Sequence, residues 1–229
     1  MENTITITNK LIDQVKGHSI LKNEWLRSRQ DSISLFDMKL WLSQEYLVSI
    51  AFVNWFLIAA TKTNDQSAKI ILVQNIWEEL GEGDLNNTHV RILDDFLNEL
   101  GLTFDLRTQL EETKAYLYRM EEIVNYSFFH ALGALGPANE YLLKLEYFEM
   151  SRIYDILKRN IYESKNVILP EPKFFQVNLD ADEGHSKRLF DLIEKMAVDH
   201  EKRKFVEEGN QWALDAREIF YKGLLTISN

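Results

Sequence analysis

The stretch Phe174-Phe175-Gln176-Val177-Asn178-Leu179-Asp180-Ala181-Asp182-Glu183-Gly184-His185 decides how this chain is read. As helix, Asp182 and His185 stand three apart and share a face. Asn178 lies one turn earlier on that face, with Phe175 before it and Leu189, Leu192 and Met196 after it. A carboxylate and an imidazole thus point into an apolar interior. Buried ionisable groups are costly unless they are paired or bind a metal, so the stretch predicts a helix that carries polar chemistry into a core.

The rest of the chain reads as helix on either side of it. At 229 residues, one domain spanning 1–229 with a sizeable core is expected. Three prolines and nine glycines leave room for long helices. There is no cysteine, which excludes disulfides, thiolate zinc sites, iron–sulfur clusters and a cysteine nucleophile. That usage fits the reducing cytoplasm. A net charge of −10 argues against nucleic acid as a partner. The start, Met1-Glu2-Asn3-Thr4, is not a signal peptide. The most apolar run, Tyr46 to Ala60, is too short to span a bilayer and carries Asn54, so a buried helix is expected and no membrane partner.

In order, residues 1–8 read as a flexible tail. A first helix is expected over about 9–28, weakened at Gly17. Ser32 or Ser34 caps a second over about 35–62, apolar nearly all round and therefore central. A third runs about 65–80, from a cap at Asp65 to a stop at Gly81. On it Glu79 shares the inner face of Leu72 and Ile76, whereas Glu78 and Glu82 fit that face less well. After the loop Gly81–Asn87, a helix to about 100 places His89, Leu93, Phe96 and Leu100 on one stripe. A long helical region, with a candidate cap at Asp105, runs to about 161 and should kink or break at Pro137. On it Glu140 shares a face with Phe129, Gly133, Gly136, Leu143 and Tyr147. The opening stretch belongs to a helix over about 173–198, and a last helix covers about 200–225. No strand is expected. The fold class is an all-α bundle of about seven helices.

Four helices thus each bring ligand-type residues inward: Glu79, His89, Glu140, and the pair Asp182 and His185. Hard carboxylates with imidazoles and no thiolate suit Fe(II) or Mn(II), and paired metals inside helical bundles recruit Glu and His from facing helices in this way. Each residue alone has a plainer reading. His89 is then a satisfied core histidine, Glu79 a helix-end charge, Glu140 a partner of Lys144, and Asp182 with His185 a hydrogen-bonded pair. The other histidines stand apart. His18 follows Gly17, His130 neighbours Phe128 and Phe129, and His200 sits in a charged junction. The pairs Glu111-Glu112 and Glu121-Glu122 read as solvated faces.

The pattern resembles a known family. Asn75-Ile76-Trp77-Glu78-Glu79-Leu80-Gly81 followed by His89 resembles the N-hydrophobic-x-x-E-x-G…H motif of haem-oxygenase-like diiron oxidases. Ala138-Asn139-Glu140 resembles their mid-chain glutamate motif, and Phe174-Phe175 through His185 their closing F-F-x-x-H-x-x-x-D-x-x-H motif. The resemblance implies a seven-helix fold, usually a homodimer. It implies two Fe(II) ions held by Glu79, His89, Glu140, Asp182 and His185, with O₂ as co-substrate. It implies oxidation of a small-molecule substrate such as an amino acid or fatty acid. A tryptophan-like amino acid changed by N-oxygenation or C–C cleavage, for example to a nitrile, in natural-product biosynthesis, is the sharper expectation. One position departs, since Asn178 stands where the family has histidine. Either one iron binds weakly and fills with substrate present, or Asp180 or Glu183 supplies a ligand, or the site holds one metal or none. The competing expectations are a thiamin-degrading enzyme of the TenA type, a haem-degrading enzyme using His18, and a non-catalytic helical interaction protein.

Overall fold

The computed structural model describes residues 6–102 and 109–228, apart from the side chains of Asp182, Glu183 and Ser228. Among the described residues there is no strand, and ten α-helical segments carry the fold. They are α1 (Ile7–Gly17), α2 (Glu24–Arg27), α3 (Leu35–Thr61), α4 (Gln66–Glu79), α5 (His89–Glu99), α6 (Glu111–Tyr126), α7 (Phe128–Leu135), α8 (Leu142–Lys165), α9 (Lys173–Met196) and α10 (His200–Ser228). The all-α bundle expected from the sequence is what forms.

Caps explain most of the boundaries. Ser34 accepts a hydrogen bond from the Asp37 amide to open α3, Asp65 one from Ala68 to open α4, and Thr88 one from Arg91 to open α5. Three expectations need correction. Residues 6–8 belong to the first helix and its cap, not to a tail, because Thr6 caps α1 and Ile7 is buried. The helix expected over 9–28 is three pieces, because the His18 ring accepts the Ile20 amide and the Asn23 side chain accepts that of Leu26, each starting a new turn. The long region expected to 161 is interrupted at Ser127, which is extended (φ −158°, ψ 165°) and caps α7. Its expected cap, Asp105, lies outside the described residues.

At Pro137 the helix neither breaks nor simply kinks. Residues Gly136–Tyr141 form a π-helical segment that joins α7 to α8. Pro137 has no N–H, so the carbonyl one turn earlier loses its α-helical donor. The Asn139 side chain takes up part of the slack, donating to the Ala134 carbonyl at 2.6 Å while its oxygen accepts from the Tyr116 hydroxyl at 3.1 Å. The wide turn is thereby pinned to α6, with Asn139 and Glu140 both buried.

Helix α3 is the central rod, burying Trp41, Phe52, Trp55 and Phe56. By length and composition it passes for a membrane-crossing helix. Its cover is less complete than its sequence suggests, because Ile50 and Leu57 face outward. It also carries a fully buried Glu45, paired with Arg217 of α10, which in turn binds Glu146 of α8 with Nε and Nη2 at 3.1 and 2.6 Å. Burial pushes the Glu45 carboxyl up to about 7, although Arg217 pulls the other way. Across the bundle, α7 and α10 approach at a pair of glycines. A Cβ on Gly133 would lie 2.0 Å from the Val206 carbonyl oxygen, and one on Gly209 2.2 Å from that of His130.

Candidate metal centre

The four helical segments expected to carry ligands meet near the end of α4. The chain leaves α4 through Gly81 (φ +67°) and Gly83 (φ +91°), and turns back to start α5 at His89. A Cβ on Gly81 would sit 2.6 Å from the Asn87 backbone, so the glycine lets the loop fold tightly. This return places His89 Nδ1 3.0 Å from Glu79 Oε2. From α9, His185 Nδ1 lies 3.4 Å from Glu79 Oε1 and 3.4 Å from Glu140 Oε2 of the π-segment. The two imidazoles are near-parallel, 6.5 Å apart. Glu79, His89, Glu140 and His185 are therefore brought together, with Glu79 between the two rings. The helix-end charge and the Glu140–Lys144 pairing weighed above are not the principal environments of these carboxylates.

The interior sets their charge balance. Burial raises the Glu140 carboxyl against the lowering pull of His185. For His89 burial favours the neutral ring, but the charge and hydrogen bonding of Glu79 win and its pKa is raised. Glu140 Oε1 is buried and makes no hydrogen bond. Such an orphaned atom is unusual in a finished core. Two imidazoles and two carboxylates with spare lone pairs and no thiolate are a donor set that fits Fe(II) or Mn(II). Among the described residues no three His, Asp or Glu side chains converge on one point as they stand. They face one another in carboxylate–imidazole pairs.

Asn178 enters the same place. It lines a narrow cleft with Glu79, His89 and Glu140, whose other walls include Val48, Ser49, Phe52, Leu143 and Tyr147. Its amide nitrogen donates to the Phe174 carbonyl at 2.7 Å. The side chain of Asp182 lies outside the described residues. Glu78, which a simple wheel sets aside, is part of the cluster. Its Oε2 is 2.8 Å from His185 Nε2 and also binds Arg188. The signal is there in the sequence, since Asn75 and Glu78 on α4 share a face (i, i+3), as do His185 and Arg188 on α9. The remaining histidines lie elsewhere. His18 pairs with Asp215 at 3.1 Å and caps a turn, His130 is stacked between Phe205 and Trp212, and His200 opens α10 beside a surface hollow.

The family model described as iron-containing redox enzyme matches residues 39–218. The chain belongs to that family. Its backbone is similar to solved structures of haem-oxygenase-like form. A CADD-like protein of unknown function from Nostoc punctiforme superposes with a TM-score of 0.80 at 18% identity, covering 96% of both chains. A TenA homologue from Pyrococcus furiosus gives 0.70 at 15% identity, covering 95% of this chain and 99% of that one. A TenA homologue from Pseudomonas syringae pv. tomato gives 0.67 at 14%, covering 96% and 93%. At these identities the likeness is one of fold. Among curated proteins none matches the chain.

Proposed function

We propose that this protein is an O₂-dependent, non-haem diiron oxidase acting on a small organic substrate, most simply an amino acid. The reading is carried by one observation, the chain of contacts in which Glu79 meets His89 at 3.0 Å and His185 meets both Glu79 and Glu140 at 3.4 Å, with Glu140 Oε1 left buried and unpartnered. These four residues, with Asp182, would hold the metal. Two irons bound there supply the reduction of O₂ and the oxidation of a substrate C–H or N–H bond.

The chain's own residues supply the rest. Glu79 reaches both imidazoles and would be one of the residues holding the metal. Asn178 offers an amide where an imidazole would bind more strongly, which makes the second iron the weaker one and lets substrate govern its occupancy. Val48, Phe52, Leu143 and Tyr147 would give a substrate apolar contact. Ser49 is the neutral polar group on that wall. A TenA-type hydrolase on this fold would lack its usual nucleophile, because the chain has no cysteine. A haem-binding role through His18 would have to break the contact of that ring with Asp215. Action in the cytoplasm, as a homodimer and in natural-product biosynthesis towards an N-oxygenated or nitrile product, completes the proposal.

Anaerobic Fe(II) titration with metal counting, followed by an O₂ pulse with a panel of amino acids and fatty acids, tests it. About two irons per chain and substrate-dependent O₂ uptake are expected. Iron-loaded protein that consumes no O₂ with any member of the panel would overturn it.

A further inference from the structure

The His185 ring has carboxylates on both edges, and they are held differently. Nε2 makes an aligned 2.8 Å hydrogen bond to Glu78 Oε2, while Nδ1 looks towards Glu79 and Glu140, each 3.4 Å away. Glu78 is fixed from outside the cluster. Arg188 Nη2 binds the same Oε2, and Gln74 donates to Oε1 at 3.0 Å. Arg188 is itself fixed, because Asn75 Oδ1 accepts from its Nε at 3.0 Å and its Nη2 at 2.8 Å. Both oxygens of Glu78 are thus occupied by donors, and its charge is met by a guanidinium that cannot give up its proton. By contrast Glu140 Oε1 has no hydrogen-bond partner.

We propose that Asn75, Glu78 and Arg188 form a clamp that fixes His185 with its Nε2–H given to Glu78 and its Nδ1 turned inward as the metal-binding nitrogen. In this arrangement Glu78 is a positioning residue and not a ligand. The proposal rests on the metal-site reading above. A histidine whose outer N–H is held by a carboxylate is locked in one tautomer and is a stronger donor at the other nitrogen. The motif residue Asn75 gains a physical role as well, since its amide oxygen accepts the guanidinium fork without adding a second negative charge beside Glu78.

The test is nitrogen-15 NMR of histidine-labelled full chain, metal-free at alkaline pH and loaded with Zn(II), together with Zn(II) and Fe(II) affinities. The expected spectrum has Nε2 of His185 protonated in both states and Nδ1 shifted by the metal. Glu78→Ala should weaken metal binding by about 10–100-fold, and Glu78→Gln, which keeps an acceptor oxygen, should recover much of the loss. A metal shift on Nε2, or Glu78→Ala affinity equal to that of the wild type, overturns the clamp. Loss of a whole metal equivalent in Glu78→Gln overturns it too, by making Glu78 a ligand. A wild-type chain that binds metal but consumes no O₂ refutes the proposed oxidase and leaves the clamp supported by its spectrum. If no metal binds, the metal-free spectrum decides alone, with a neutral His185 protonated at Nδ1 refuting the clamp.

Discussion

Replacing Gly209 with alanine sets two effects of known size against each other. On helix propensity the change favours the folded state by about 1 kcal/mol, because Gly209 lies inside α10. The packing says the opposite. The new Cβ would stand 2.2 Å from the His130 carbonyl oxygen and 2.7 Å from its Cα. Both are backbone atoms of α7, so no rotamer change relieves the clash and the two helices must separate. Overpacking costs about 1–3 kcal/mol where side chains share the strain, and a backbone contact belongs at the upper end. The net expectation is a loss of about 2 kcal/mol, or a fall in Tm of roughly 4–8 °C for a chain of this size. Because α7 leads directly into the π-segment, Glu140 moves with it and metal affinity falls as well. Gly17→Ala is the internal control. A Cβ there meets nothing within 4 Å, so that variant should be neutral or gain up to about 1 kcal/mol. Thermal unfolding of the metal-free proteins, followed by circular dichroism at one pH, measures both. A Gly209→Ala protein that melts at or above the wild type would refute the close α7–α10 approach.

Glu45→Gln reads the buried ion group. The folded Glu45 carboxyl is raised from 4.5 to about 7, so its contribution to stability is fully present below pH 4.5 and is lost as pH rises through 7. Denaturant titrations of variant and wild type should therefore diverge in favour of the variant, by about 3 kcal/mol in all between pH 4.5 and 7; parallel curves would refute burial of that carboxyl. Arg217→Met leaves Glu45 and Glu146 facing each other without their cation, and should cost about 3–5 kcal/mol at neutral pH by the same titration. Asn178→His should tighten the second iron by more than the roughly 10–100-fold that a supporting residue provides, seen as two irons per chain without substrate. Fe(II) at 100 times its Kd should stabilise the wild type by about 2.7 kcal/mol, and His89→Ala should lose most of that gain in a melting series.

Much of the fold was legible because it rests on local rules. Helix caps at Ser34, Asp65 and Thr88, the stop at Gly81, and the inward faces of Glu79, His89 and Glu140 follow from short-range spacing. The missed features depend on geometry that spacing does not encode. Ser127 is an ordinary polar residue until its extended backbone separates α6 from α7. The π-segment needs the Asn139 side chain to reach both Ala134 and Tyr116, which only the folded chain brings near. Glu78 lies off the apolar stripe of Leu72 and Ile76, but α4 has a second face towards α9, where Glu78 meets His185 and Arg188. The group of Glu45, Glu146 and Arg217 was open to a wider reading. Each stands on an apolar stripe, with Trp41, Val48 and Phe52, with Leu142, Met150 and Ile153, and with Ala213, Phe220 and Leu224. Their opposite charges on three helices are the sign of a buried pairing.

The π-segment at Gly136–Tyr141 has a consequence for how this site can change. A π turn holds about one residue more than an α turn, and each α-helical residue turns the rod by about 100°. One spare residue therefore sets the rotational phase of α8 independently of α7. On one side, Gly133 must meet α10; on the other, Glu140, Leu143 and Tyr147 must face the cleft while Glu146 meets Arg217. An uninterrupted α-helix would satisfy one set and turn the other aside. Deleting a single residue here would re-index the whole downstream face, presenting new side chains to the cleft without altering any other helix. A lineage carrying this fold thus has a one-residue dial for its chemistry, placed where the carboxylate of the mid-chain motif enters the bundle.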